Sequence, residues 1–298
     1  MREPSGHTLV LRHGSYAAEV VGVGAALRSL THDDRHLVAG WPAGEICRDY
    51  RGWVLQPWPN RVGDGRYDFD GATHQLPLTE PENSNALHGL AGWNHWEVHH
   101  PDAARAVLRH ELVPRDGYPF ALDLTVDYHL RDDGLHVAVA ATNVGDGPAP
   151  YGAGHHPYLT LGRPADELEL TVPAATWCPM DERGLPGPSR PVDGTPYDFR
   201  TPRVIGDLVV DHPFGDLTGG PAVLRDPASG QATAVHLGEG CRWLHVFTCD
   251  TQEPARQAVA IEPMSCPPDA FRTGTDLVVL EPGGSHRLAF SIAAVTGS

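Results

Sequence analysis

The chain has 298 residues, with 22 Lys and Arg against 38 Asp and Glu, a formal net charge of −16 with His neutral. That balance excludes a nucleic-acid binder, because affinity for a duplex comes mainly from Lys and Arg neutralising phosphates. Apolar residues at 41% and charged residues at 20% fit an ordinary globular core and lie far from a disordered composition.

From the N-terminus, Met1-Arg-Glu-Pro-Ser-Gly-His places no apolar segment behind a basic start, so no secretory signal is expected. The most apolar early stretch is broken by Arg12, Glu19 and Arg28, and no window nears the ~18 uninterrupted apolar residues of a membrane span. A cytoplasmic protein with no membrane partner is expected. Strands are predicted over 8–11 and 19–23. A hairpin follows over 67–76, turning at Asp70-Gly71, and then a strand over 106–113. Over 121–130, Leu122, Leu124, Val126, Tyr128 and Leu130 share one face with period two, the mark of a half-buried strand. It turns at Asp132-Asp133-Gly134 into a partner beginning at Leu135. Further strands are expected over 168–172, 232–237, 243–248 and 258–261, and a last hairpin turns at Pro282-Gly283-Gly284.

The 33 Gly and 28 Pro are spread along the chain, which leaves little room for long helices. Many short strands at fairly even spacing favour a sandwich or barrel over an α/β design. The expected fold is all-β, a large antiparallel β-sandwich with few short helices, in one domain spanning 1–298. Cys47, Cys178, Cys241, Cys249 and Cys266 are odd in number, widely spaced and without a Cys-x-x-Cys, so they read as free thiols rather than a disulfide or zinc framework. Gly22-Val-Gly24-Ala-Ala-Leu27 lacks the third glycine and the βαβ surroundings of a dinucleotide fingerprint. Nucleophile-elbow, phosphate-loop and zincin motifs are absent. His95, Glu97 and His99 would share one strand face, which reads as a solvated polar face, and no metal is assigned.

Four segments set a polar side chain among Gly, Pro and aromatic residues that stiffen a loop, where functional groups are commonly displayed. They are Asn60-Arg61-Val62-Gly63-Asp64-Gly65-Arg66-Tyr67, Asn85-Ala-Leu-His88-Gly89, His155-His156-Pro157-Tyr158-Leu159 and Ile261-Glu262-Pro263 running on to Phe271. Each has a bland reading: a turn glycine, a surface ion pair for Arg61, a turn residue in His88, a strand-capping imidazole in His156. Glu262 ends the apolar run 258–261 ahead of a proline, placing a carboxylate at a strand end.

Together these segments resemble the aldose 1-epimerase (galactose mutarotase) family, in the family's order and through nearly the whole chain. The family's Asn-Arg-Ile/Val-x-x-Gly-x-Phe/Tyr is similar to Asn60–Tyr67, its Asn-x-Leu-His-Gly to Asn85–Gly89 and its His-x-Tyr to His156–Tyr158. Its Asp-His-x-Phe is similar to Asp211–Phe214, and its Glu-Pro…Pro-Asp-Ala to Glu262-Pro263 with Pro268-Asp269-Ala270. Many members carry Asn before the motif histidine and Phe-Asn after the tyrosine. His155 and Leu159-Thr160 stand there instead, which points to a divergent bacterial branch and leaves sugar preference open.

The resemblance implies a cofactor-independent isomerase acting on a small-molecule sugar, as a monomer or homodimer. It puts the general base on Glu262 and the general acid on His156, with His88 polarising the opening bond. Arg61, Asp211 and Asn60 would hold sugar hydroxyls, and an exposed aromatic, Tyr158 or Trp58, would stack on the sugar. Three alternatives stand beside it. One is a mutarotase of a 6-phosphorylated or 6-sulfonated hexose, with Arg48, Arg51 and Arg66 near C6. The others are a non-catalytic sugar binder and a glycoside hydrolase built on Asp211 and Glu262.

Overall fold

The computed structural model describes residues 3–295 and is built almost wholly of antiparallel strands. The largest sheet has nine strands, in the order Glu97–Asp102, Arg105–Leu112, Leu122–Arg131, Gly134–Asn143, Ser285–Val295, Ala232–Leu237, Ala222–Arg225, Glu169–Thr171, Arg203–Val204. A second, of eight strands, runs Arg190–Pro191, Ala174–Trp177, Asp211–Leu217, Trp243–Phe247, Val259–Met264, Gly154–His155, Val54–Leu55, and Tyr158–Leu159 also pairs with Val259–Met264. A four-stranded sheet closes the N-terminal side, from Thr8–His13 to Arg35–His36. Among the described residues the helices amount to Ala270–Thr273 and two 3-10 turns, and none is long and apolar enough to cross a membrane.

The period-two faces read from the sequence form the core. Leu122, Leu124, Val126, Tyr128 and Leu130 are all buried, in one cluster with Val137, Val139, Leu288 and Ile292 of the same sheet and Phe214, Leu244, Val246 and Ile261 of the other. The Tyr128 hydroxyl, from the nine-stranded sheet, lies 2.9 Å from His155 Nε2 on the other sheet, and the His155 ring lies 5.2 Å from that of Phe290. The inner faces thus meet around a polar contact that is hydrogen-bonded, as burial demands. The five cysteines are free.

Two hairpins form as the sequence predicts. Phe69 pairs with Ala72 across Asp70-Gly71, both at positive φ (48° and 76°), the backbone that suits the twist of a two-residue loop. Arg131 pairs with Gly134 across Asp132-Asp133, where the positive φ (124°) falls on Gly134 instead. The expected hairpin around Pro282-Gly283-Gly284 does not form. The chain turns there, but Val278–Leu280 pairs with Ala149–Tyr151, whereas Ser285–Val295 enters the nine-stranded sheet between Gly134–Asn143 and Ala232–Leu237. Glu97 and His99 lie exposed on an edge strand, His99 Nε2 being 3.3 Å from Glu97 Oε1.

Candidate active site

Five of the motif segments converge on one open cleft of about 820 Å³, lined by Asn60, Arg61, His88, His156, Tyr158, Asp211 and Glu262 among others. Adjacent strands of the eight-stranded sheet carry its floor. Glu262, from Val259–Met264, is 1% exposed, and His156 follows directly on Gly154–His155. The two side chains meet, His156 Nε2 lying 3.4 Å from Glu262 Oε1. Strand alternation parts the two neighbouring histidines. His156 faces the cleft, whereas His155 points into the sandwich toward Tyr128. The departure at position 155 therefore falls in the core, not against a ligand.

Burial pulls the His156 imidazole down to about 3, helped by the nearby His245 charge. Burial also pushes the Glu262 carboxyl well above the usual carboxylate range, with Asp211 adding to the effect. Burial thus favours the neutral imidazole and the neutral carboxyl, one proton between the two groups. It opposes the imidazolium that a general acid at His156 requires, because a buried charge is more costly than a shared proton. Glu262 Oε2 and His156 Nδ1 are buried and find no hydrogen-bond partner among the described residues.

His88 and Asn60 hold each other. The Asn60 backbone N–H donates to His88 Nδ1 at 3.2 Å, and the His88 N–H donates to the Asn60 carbonyl at 2.9 Å. Both sit at positive φ (55° for Asn60, 58° for His88), a conformation to which Asn and His are more prone than most residues. Burial lowers the His88 pKa well below its ordinary value, with His156 contributing. Because its Nδ1 accepts, the remaining proton sits on Nε2. The His88 and His156 rings stand edge to face, 5.2 Å apart.

Arg61 donates from Nε and Nη2 to the two oxygens of Glu80, each at 2.9 Å, and Asn85 Nδ2 donates to the same carboxylate at 2.8 Å. Asp269 ties this strand to the segment after Glu262. Its Oδ1 accepts from Gly63 N at 2.8 Å, and its own N–H donates to the Arg61 carbonyl at 2.7 Å. Asp211 opens Asp211–Leu217 and accepts from His245 Nε2 at 2.6 Å. Burial would raise its pKa, but the His245 hydrogen bond and the charges of His245 and Arg61 outweigh that and lower it.

Tyr158 and Trp58 do not offer an exposed face. The Tyr158 ring, 2% exposed, stacks on His156 at 4.8 Å between centroids and 3° between planes, while its hydroxyl donates to the Asp49 carbonyl and accepts from Gln252. Trp58 is also 2% exposed and packs against Phe271. The half-buried aromatics on the cleft are Tyr50, Tyr197 and Phe247. Sequence reasoning also missed Glu80, Gln252 and His245. Glu80 sits 19 residues from Arg61, and His245 reaches Glu262 through strand register, so neither carries a local signal.

The cleft thus gathers an acid, two imidazoles and an arginine on an antiparallel sandwich. A sequence profile described as aldose 1-epimerase matches residues 7–293. The chain belongs to the aldose 1-epimerase family. It is 39% identical over 293 residues to YihR, an uncharacterised protein of Escherichia coli K12, covering 97% of this chain and 93% of that one. It is 28% identical over 257 residues to the galactose mutarotase of Rattus norvegicus, covering 80% and 73%. The crystal structure of a putative aldose 1-epimerase from E. coli K12 superposes with a TM-score of 0.86 at 24% identity, covering 97% and 99%.

Proposed function

We propose that the protein is an aldose 1-epimerase that interconverts the α and β anomers of an uncharged aldohexose by acid–base ring opening, without cofactor or metal. The observation that carries this reading is the buried Glu262–His156 pair, 3.4 Å apart on a cleft of about 820 Å³, within the roughly 300–1,000 Å³ of small-molecule sites.

Ring opening takes the proton from the C1 hydroxyl and delivers one to the ring oxygen. Both oxygens are bonded to C1, so two groups in contact can serve both. Sugar hydroxyls donating to the unpartnered Glu262 Oε2 favour the carboxylate and pass the shared proton to His156. Glu262 then takes the C1 hydroxyl proton and that O–H pair forms the aldehyde C=O. The C1–O5 bond breaks with its electrons going to O5, which receives the His156 proton. Rotation about C1–C2 and reclosure on the other carbonyl face return both protons with the roles exchanged. His88 Nε2–H donates toward the ring oxygen, and Arg61, Asn60 and Asp211 grip hydroxyls. Tyr158 supports His156 by stacking on it.

The charges around the cleft support an uncharged sugar. Arg48 and Arg66 are exposed and do not line it, Arg51 is engaged by Gln252 and the Gly40 carbonyl, and Arg61 is held by Glu80. Polarimetry of freshly dissolved α-glucose or α-galactose tests the assignment. Glu262→Gln keeps the shape and removes the base, so the rate should fall by at least ~10², the low end for one positioned proton transfer. A variant near the wild-type rate would defeat the reading. NMR anomer exchange on glucose, galactose, a 6-phosphate and a 6-sulfonate separates the uncharged from the anionic substrates.

A further inference from the structure

Acids and imidazoles alternate along a line that crosses four successive strands of the eight-stranded sheet. Asp211 stands opposite Phe247, His245 opposite Glu262, and Gly154, two residues before His156, opposite Met264. Along that line His245 Nε2 is 2.6 Å from Asp211 Oδ1, and Glu262 Oε1 is 3.4 Å from His156 Nε2. His245 sits between the two carboxylates, 1% exposed, with Nδ1 buried and unpartnered among the described residues.

We propose that His245 is a positioning residue that couples the sugar-gripping carboxylate Asp211 to the proton-moving pair Glu262–His156. The inference rests on the mutarotase reading above. A carboxylate accepts and does not donate, so the short Asp211 contact fixes the proton of His245 on Nε2 and holds Asp211 in one orientation, with its second oxygen left for a sugar hydroxyl. Directly opposed residues on paired strands have Cβ atoms about 4.5–5.5 Å apart, so any charge on His245 acts on Glu262 at close range. Around His245, Asp211 is hydrogen-bonded to it and Glu262 stands opposite it in the sheet, the His245 charge acts on His156, His212 and His88, and Arg61 acts on both carboxylates. The charge of a protonated His245 opposes a proton on His156, and so opposes a second proton on the pair.

His245→Gln tests this, since an amide N–H still reaches Asp211 but carries no charge. KM should stay within about twofold of wild type, while the acid limb of kcat/KM moves to higher pH as the pair fills with two protons sooner. His245→Ala also loses the hydrogen bond, and KM should rise about tenfold. Asp211→Asn removes a negative charge that raises both Glu262 and His156, so its own acid limb should move to lower pH. Combined with His245→Ala, which breaks the same hydrogen bond, it should add little to the KM of either single variant. An acid limb unmoved in His245→Gln, or full additivity, overturns the proposal. A second readout needs no turnover: side-chain NMR of ¹⁵N-histidine protein should show His156 titrating at higher pH in His245→Gln than in wild type. If no aldose is turned over, the mutarotase reading fails while this titration still decides the coupling, and an unmoved His156 sinks it.

Discussion

Arg61 shows what a guanidinium fork contributes that an ammonium cannot. Its Nε and Nη2 engage both Glu80 oxygens at 2.9 Å, and burial, which would lower its pKa, is outweighed by that carboxylate. Arg61→Lys keeps the charge but loses the two-point grip, so the side chain is no longer aimed at the cleft. A hydrogen bond to a charged group is worth about 1.5–3 kcal/mol, so steady-state kinetics should show KM rising by roughly one to two orders of magnitude with kcat little changed. An equal fall in kcat would instead place Arg61 among the groups that act in the transition state. On the proposed mechanism the Glu262–His156 pair sets the pH dependence. It works with one proton, so kcat/KM should fall on the acid side as pH approaches the His156 value of about 3. On the alkaline side it should fall as pH passes the raised Glu262 value, where the pair loses its proton. A profile with a midpoint at the ordinary histidine value would show that burial does not control His156.

At the level of strands and loops, Gly89 secures the loop that presents His88. Its φ is +78°, and a Cβ there would lie 2.0 Å from the Gln56 carbonyl oxygen. Gly89→Ala therefore faces both a strained backbone and a clash with main chain that cannot move cheaply, and strained φ/ψ alone costs of order 1–3 kcal/mol. Urea unfolding should show that loss or more, accompanied by weakened activity because Asn60 and His88 share reciprocal hydrogen bonds. Stability equal to wild type would mean the loop is freer than its packing indicates. This loop also marks how far local reasoning reaches. Glycine-flanked histidines, tight two-residue turns and period-two faces are local, so His88, the Asp70-Gly71 hairpin and the Leu122–Arg131 strand could be read from the sequence. Pairing between distant strands is not local. The turn at Pro282-Gly283-Gly284 was legible, but the separation of its flanking strands into two sheets was not. His245 escaped notice because its importance lies in register with Glu262 and in a bond to Asp211, 34 residues away. Tyr158 and Trp58 were misplaced because an aromatic beside a motif looks the same in sequence whether it faces a ligand or supports the residue that does.

Across the whole molecule, the core that holds the cleft also makes the fold sensitive to acid. His155 and His156 are adjacent, one inside the sandwich and one on the cleft, and burial lowers both to about 3 from an ordinary 6.5. Between those values the unfolded chain binds protons that the folded chain refuses, so their contribution is present above about 6.5 and is lost as pH falls. Glu262 acts in the opposite sense. Its raised value makes its contribution complete below the ordinary carboxylate range and lost as pH rises through the folded value. His155 isolates the first effect, since it does not line the cleft and its Nε2 meets the Tyr128 hydroxyl at 2.9 Å. His155→Gln can keep a hydrogen bond to that hydroxyl but cannot be protonated. At about 1.4 kcal/mol per pH unit for each refused proton, wild type should lose about 2 kcal/mol more than His155→Gln between pH 7 and pH 5, read by urea unfolding at both. On the proposed function the variant should keep its activity at pH 7, because the lost ring faces Phe290 and Tyr128 rather than the cleft. Parallel stability curves for the two proteins would mean that His155 takes up its proton in the folded core as readily as in the unfolded chain.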